Sequence, residues 1–145
     1  MQEKIIESNS REETLRIGIE MGQSAVPGQI ICLDGDLGTG KTVFAQGFGH
    51  GLGIMEPISS PTFTILKEYD EGRIPLYHFD VYRISSEDEM EEVGFFDKCD
   101  GGDGVCLVEW AELIEGIIPK EAVRITIEKD PEKGFDYRKI TIRER

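Results

Sequence analysis

The sequence predicts an α/β fold in which a mixed central sheet, carrying antiparallel hairpins, is flanked by helices. Three observations predict it. A short apolar, β-branched run at residues 29–33 leads through glycine-rich sequence into a helical pattern. Two pairs of runs rich in β-branched and aromatic residues are each joined by turn chemistry. Helix-starting Ser-x-x-Glu spacings occur at Ser10 and Glu13 and again at Ser86 and Glu89.

Taken in order, Ser10 caps a first helix in which Leu15, Ile19 and Gly22 follow at helical intervals, and Pro27-Gly28 ends the pattern near Ala25. Gln-Ile-Ile-Cys-Leu at 29–33 reads as a buried strand. After Thr42, the residues Val43, Phe44, Ala45 and Phe48 support a helix that stops among Gly49, Gly51 and Gly53. Residues 62–69 and 75–82, separated by Asp70-Glu71-Gly72-Arg73, predict an antiparallel hairpin. Ser86 begins a short acidic helix ending near Gly94, and Gly101-Gly102-Asp103-Gly104 makes a turn into a buried strand at 105–108. Alternating runs at 122–128 and 137–143 predict a second hairpin at the sheet edge. No repeat, low-complexity tract or linker interrupts the chain, so residues 1–145 are expected to form one domain.

Composition narrows the function classes. Acidic residues outnumber Lys and Arg by 29 to 16, for a net charge of −13, which repels nucleic-acid backbones and anionic membrane surfaces. The opening residues lack an apolar segment, and no later run approaches the length of a membrane span. Cys32, Cys99 and Cys106 are odd in number and form no C-x-x-C pair, so neither a disulfide framework nor a zinc motif is expected, and a reducing cytoplasm fits. Cys32 and Cys106 are expected to act as small buried hydrophobes. His50 and His78 lack metal-ligand spacing, and His78 reads as a strand residue.

Gly35-Asp36-Leu37-Gly38-Thr39-Gly40-Lys41-Thr42 matches G-x-x-x-x-G-K-[ST] between a strand and a helix, the context in which this pattern is a phosphate-binding loop. Its glycines let successive N–H groups point inward, and the helix N-terminus adds positive partial charge. Lys41 is placed to bridge the β- and γ-phosphates, and the Thr42 hydroxyl to ligate Mg²⁺. The fold expected is therefore that of a P-loop nucleoside triphosphatase, using ATP and Mg²⁺. Such a loop needs a carboxylate from a neighbouring strand, and Asp80 and Glu109 each end an apolar run. Position alone does not divide metal binding from general-base work between them. The reading adopted puts the metal at Glu109 through a bound water, with Asp80 as its partner.

Four blocks resemble the bacterial TsaE (YjeE) ATPases of tRNA threonylcarbamoyladenosine biosynthesis. They are the loop itself, Ser60-Pro61-Thr62-Phe63-Thr64, His78-Phe79-Asp80-Val81-Tyr82-Arg83 and Val108-Glu109-Trp110. The loop alone would suit many enzymes, whereas the later blocks in this order are much more specific. The resemblance implies a partner-stimulated ATPase that associates with TsaB and TsaD, supports threonylcarbamoyl transfer to adenosine 37 of tRNA, and meets tRNA only through that complex. It also implies that Ser60 and Thr62 act like a switch, that Ser10, Glu13, Thr14 and Val43 join the nucleotide site, and that Trp110 has a role beyond packing. The alternative is a small P-loop kinase, disfavoured because Arg73 and Arg83 are the only arginines between Arg16 and Arg124. A GTPase is disfavoured by the lack of an Asn-Lys-x-Asp or Thr-Lys-x-Asp run, and a non-enzymatic adaptor would bind ATP without turnover.

Overall fold

The computed structural model describes residues 2–35, 39–59, 61 and 64–144. Asp36, Leu37, Gly38, Ser60 and Thr62, singled out above, lie outside the described residues. The described strands are β1 (Gln2–Ser8), β2 (Ile30–Asp34), β3 (Leu66–Tyr69), β4 (Leu76–Asp80), β5 (Val105–Glu109), β6 (Val123–Lys129) and β7 (Arg138–Glu144). They make one sheet in the order β1-β7-β6-β2-β5-β4-β3. Pairing of β2 with β5 and β6, and of β4 with β5, is parallel. The hairpins β3–β4 and β6–β7, and the pair β1–β7, are antiparallel, so the sheet is mixed as the sequence predicts.

Helices α1 (Arg11–Ser24) and α2 (Lys41–Gly51) cover one face, where Phe44 and Phe48 pack on Ile31, Leu33, Leu107 and Ile125. On the other face α3 (Asp88–Glu92), α4 (Phe95–Cys99) and a 3₁₀ segment (Ala111–Ile117) bury Cys32, Phe79 and Val108. Coverage on both sides explains why β2 and β5 are apolar at nearly every position. The side of α1 that faces α2 is not the Leu15–Ile19 stripe. Thr14, Gly18 and Gly22 are its buried residues, and a β-carbon at Gly18 would lie 2.5 Å from the Phe44 carbonyl oxygen. Gly22, Gly47 and Gly51 meet the opposing backbone in the same way, so the two helices touch main chain to main chain.

Four expectations need correction. The β6–β7 hairpin is not at the sheet edge, because β1 pairs along the whole of β7. The polar sequence of β1 hides it from periodicity. It is held by distant partners, with Glu3 bound to Arg143 at 3.0 Å and Glu7 accepting from Tyr137 Oη at 2.7 Å. Its charged exterior suits an exposed edge. Ser86 does not cap α3. The Glu89 carboxylate instead accepts from the Ser85 N–H at 2.9 Å and from its hydroxyl, and the helix begins at Asp88. A helix at α4 and the 3₁₀ segment follow where no element is expected. Finally, Cys99 and Cys106 form a disulfide, with Cα atoms 5.9 Å apart. The glycine turn between them folds the end of α4 onto the start of β5, a closeness that cysteine spacing does not reveal.

Candidate nucleotide site

Parallel register brings the two predicted carboxylates together. Asp80 stands opposite Glu109 across β4 and β5, and Leu33 stands opposite Glu109 on the other side. The acids therefore lie beside the strand that leads into the glycine loop, at the carboxyl ends of parallel strands where α/β sheets bind ligands. They are 3% and 5% exposed. A cavity of about 640 Å³ opens onto both.

Five segments line it. Thr39, Gly40, Lys41, Thr42 and Val43 come from the loop and the first turn of α2. Gly40 caps α2 with φ of 104°, a left-handed backbone that a side chain would strain. Asp80 ends β4 with Tyr82 and Arg83 just beyond it, Glu109 ends β5 with Trp110 next, and Ser10, Arg11 and Thr14 come from the cap and first turn of α1. Asp136 and Arg138 arrive from the β6–β7 connection, and Arg138 Nε donates to the Thr39 carbonyl at 2.7 Å.

Ser10 accepts from the Glu13 N–H at 3.1 Å, and Thr14 shares a 2.7 Å hydrogen bond with Ser8. Glu13 does not line the cavity. Its carboxylate accepts from the Asn9 N–H at 2.7 Å, which makes it a cap residue of α1. Lys41 is 7% exposed, and its ammonium lies 4.3 Å from the centroid of the Trp110 ring. Trp110 holds a left-handed φ of 64°, a strained geometry for a bulky residue, and its ring meets Tyr82 at 4.8 Å. It also packs on the core beneath, so packing and contact with Lys41 coincide in one side chain.

The chemistry of these groups is that of an anion site beside a hard-cation site. The start of α2 and the Lys41 ammonium attract negative charge within a strongly acidic chain. Among the described residues no group of three or more His, Cys, Asp or Glu is placed to hold a metal. Thr42, Asp80 and Glu109 offer oxygen donors alone, which fits Mg²⁺ that takes its remaining ligands from phosphate and water. The family model "Threonylcarbamoyl adenosine biosynthesis protein TsaE" matches residues 8–140.

The chain belongs to the TsaE family. It is 52% identical over 130 residues to the tRNA threonylcarbamoyladenosine biosynthesis protein TsaE of Bacillus subtilis (strain 168), covering 90% of this chain and 78% of that protein. With the protein of the same name from Treponema pallidum (strain Nichols) it shares 42% over 120 residues, covering 83% of this chain and 87% of the other. The crystal structure of Bacillus subtilis YdiB superposes with a TM-score of 0.78 at 42% identity, over 97% of this chain and 84% of that one. The α/β TsaE-like fold is thus shared with a solved structure.

Some groups in this TsaE-family site escape a reading of the sequence. His78, set down above as a strand residue, places Nε2 2.7 Å from Glu109 Oε2. Arg138 and Asp136 lie almost 100 residues from the loop and carry no local signal. Arginine spacing along the chain also does not show that folding brings Arg11, Arg83 and Arg138 to one cavity. At the root of the loop, burial and the neighbouring Glu112 carboxyl push the Asp34 carboxyl up to about 7, against the pull of Arg124. Burial likewise pushes the Cys32 thiol up to about 12, which keeps it unreactive.

Proposed function

We propose that this TsaE-family chain is an Mg²⁺-dependent ATP-binding protein and a weak ATPase stimulated by partners. It supports formation of threonylcarbamoyladenosine at position 37 of tRNA together with TsaB and TsaD, meets tRNA through that complex, and works in the cytoplasm as one domain. Family membership supports the pathway. One observation carries the nucleotide reading: Lys41 and Thr42 open onto the same cavity as Asp80 and Glu109, and its size is in the range of small-ligand sites.

In this reading the residues 35–43 cradle the triphosphate, with Lys41 set against its outer phosphates and Ser10 and Thr14 bordering the nucleotide. Thr42 would hold the metal directly and Glu109 through a bound water, with Asp80 as the partner of Glu109. When bound, Mg²⁺ neutralises charge on the phosphates and fixes their orientation. Asp80 and Glu109, both nearly buried, are placed to orient a water for in-line attack. Ser60 and Thr62 are proposed to respond to the γ-phosphate, Trp110 to report or relay the state of Lys41, and Glu13 to serve the site only by fixing the start of α1.

The test is an ATP titration followed through the fluorescence of Trp110, with phosphate release measured alone and with TsaB and TsaD. Binding that is lost in Lys41→Ala, and turnover that rises with the partners, is expected. An unchanged titration in Lys41→Ala would remove the nucleotide reading. Arg11 and Arg83 at the cavity favour a second reading, a kinase for a small anionic acceptor. ADP formation without an equal release of phosphate would favour that kinase.

A further inference from the structure

We propose that His78 is a positioning residue that aims the Glu109 carboxylate at the cavity. The inference rests on the nucleotide reading of that cavity. His78 sits on β4 two residues before Asp80, so the two side chains leave the same face of the strand. Parallel register puts His78 opposite Leu107 and Asp80 opposite Glu109, which sets the imidazole diagonally beneath the second carboxylate.

The ring is 1% exposed, and its Nε2 lies 2.7 Å from Oε2 of Glu109. A carboxylate oxygen accepts, so the ring carries its proton on Nε2 and donates it. Nδ1 is buried with no hydrogen-bond partner among the described residues. The Nε2 bond fixes the ring on one oxygen of a proposed metal ligand. The imidazole thereby restricts rotation of the Glu109 side chain, and it leaves Oε1 as the oxygen that would be available to a water on the metal. This is the role that outer partners of metal-bound carboxylates commonly play.

The experiment compares His78→Leu and His78→Gln with the unaltered chain. Leucine fills the space without a donor, while the glutamine amide reaches close to the position of Nε2. Three quantities are read: the Mg²⁺ midpoint for the Trp110 fluorescence change at saturating ATP, ATP affinity in EDTA, and kcat with KM. His78→Leu should raise the Mg²⁺ midpoint and lower kcat by about 10–100-fold, with ATP affinity in EDTA unchanged within about threefold. His78→Gln should recover most of both losses. A merely structural histidine would shift the urea midpoint in both variants and leave the Mg²⁺ midpoint in place, which would overturn the proposal. Failure of His78→Gln to recover what His78→Leu loses would overturn it as well, and if His78→Leu does not fold, a folded His78→Gln chain whose Mg²⁺ midpoint is raised about tenfold or more would do the same. Glu109→Gln separates the two layers. If that substitution leaves the Mg²⁺ midpoint unmoved, the reading of the metal site fails and the role of His78 falls with it.

Discussion

Gly18→Ala tests the main-chain contact on which the P-loop helix rests. An alanine β-carbon there would meet the Phe44 carbonyl oxygen at 2.5 Å, the Phe48 nitrogen at 3.1 Å and the Gly47 Cα at 3.2 Å. Ordinary contact needs about 3.5 Å, so α1 and α2 must separate by about 1 Å. All three neighbours are backbone atoms, and none can rotate away. Overpacking of this kind costs about 3 kcal/mol at the upper end of its usual range. Alanine returns about 1 kcal/mol of helix propensity relative to glycine. The net loss is about 2 kcal/mol, or a melting temperature lower by about 8 °C for a chain of this size. Urea denaturation followed by circular dichroism should show a lower midpoint with an unchanged slope. Glu20→Ala, exposed on the same helix, is the control and should stay within about 0.5 kcal/mol. A Gly18→Ala protein as stable as the unaltered chain would refute the claim that glycine sets the helix spacing.

Other substitutions probe the remaining groups. Asp34 titrates near 7 in the fold and near 3.8 when unfolded, so between those values the folded chain holds the extra proton and stability falls as pH rises. Solvent at this partly exposed carboxyl screens the effect to about 2 kcal/mol. Asp34→Asn should therefore match the unaltered chain in urea at pH 4 and exceed it at pH 8, and an equal difference at both would refute the raised Asp34 titration. Cys32 should resist a thiol reagent in the native protein and yield one thiol per chain on denaturation, while Cys99 and Cys106 react only after reduction. Three reactive thiols without reductant would show the pair to be open. Asp80→Asn and Glu109→Gln should each lower ATP turnover at least about 100-fold while nucleotide binding persists, as measured by phosphate release and by Trp110 fluorescence. Full turnover in either would remove that carboxylate from the chemistry.

The site was legible wherever its residues are neighbours in sequence or end a strand of clear pattern. The loop 35–42 declares itself because anion binding by backbone needs glycines, a lysine and a helix start at fixed spacing. Asp80 and Glu109 declare themselves because each ends an apolar run, though only parallel pairing in register makes them adjacent. His78 offered no such signal, since its partner is 31 residues away. Strand β1 was concealed for a related reason: an edge strand needs no apolar alternation, and its ion pair and hydrogen bond to the C-terminal hairpin span most of the chain.

Local chemistry in the sequence alone thus determined the α/β class, the hairpins and the family, because propensity, turn residues and motif spacing act over a few residues. Tertiary structure alone decided that glycines, not Leu15 and Ile19, join α1 to α2, that Cys99 meets Cys106, and that Arg138 reaches Thr39. Those outcomes depend on which distant backbones approach one another, and that is settled by the closing of the whole sheet.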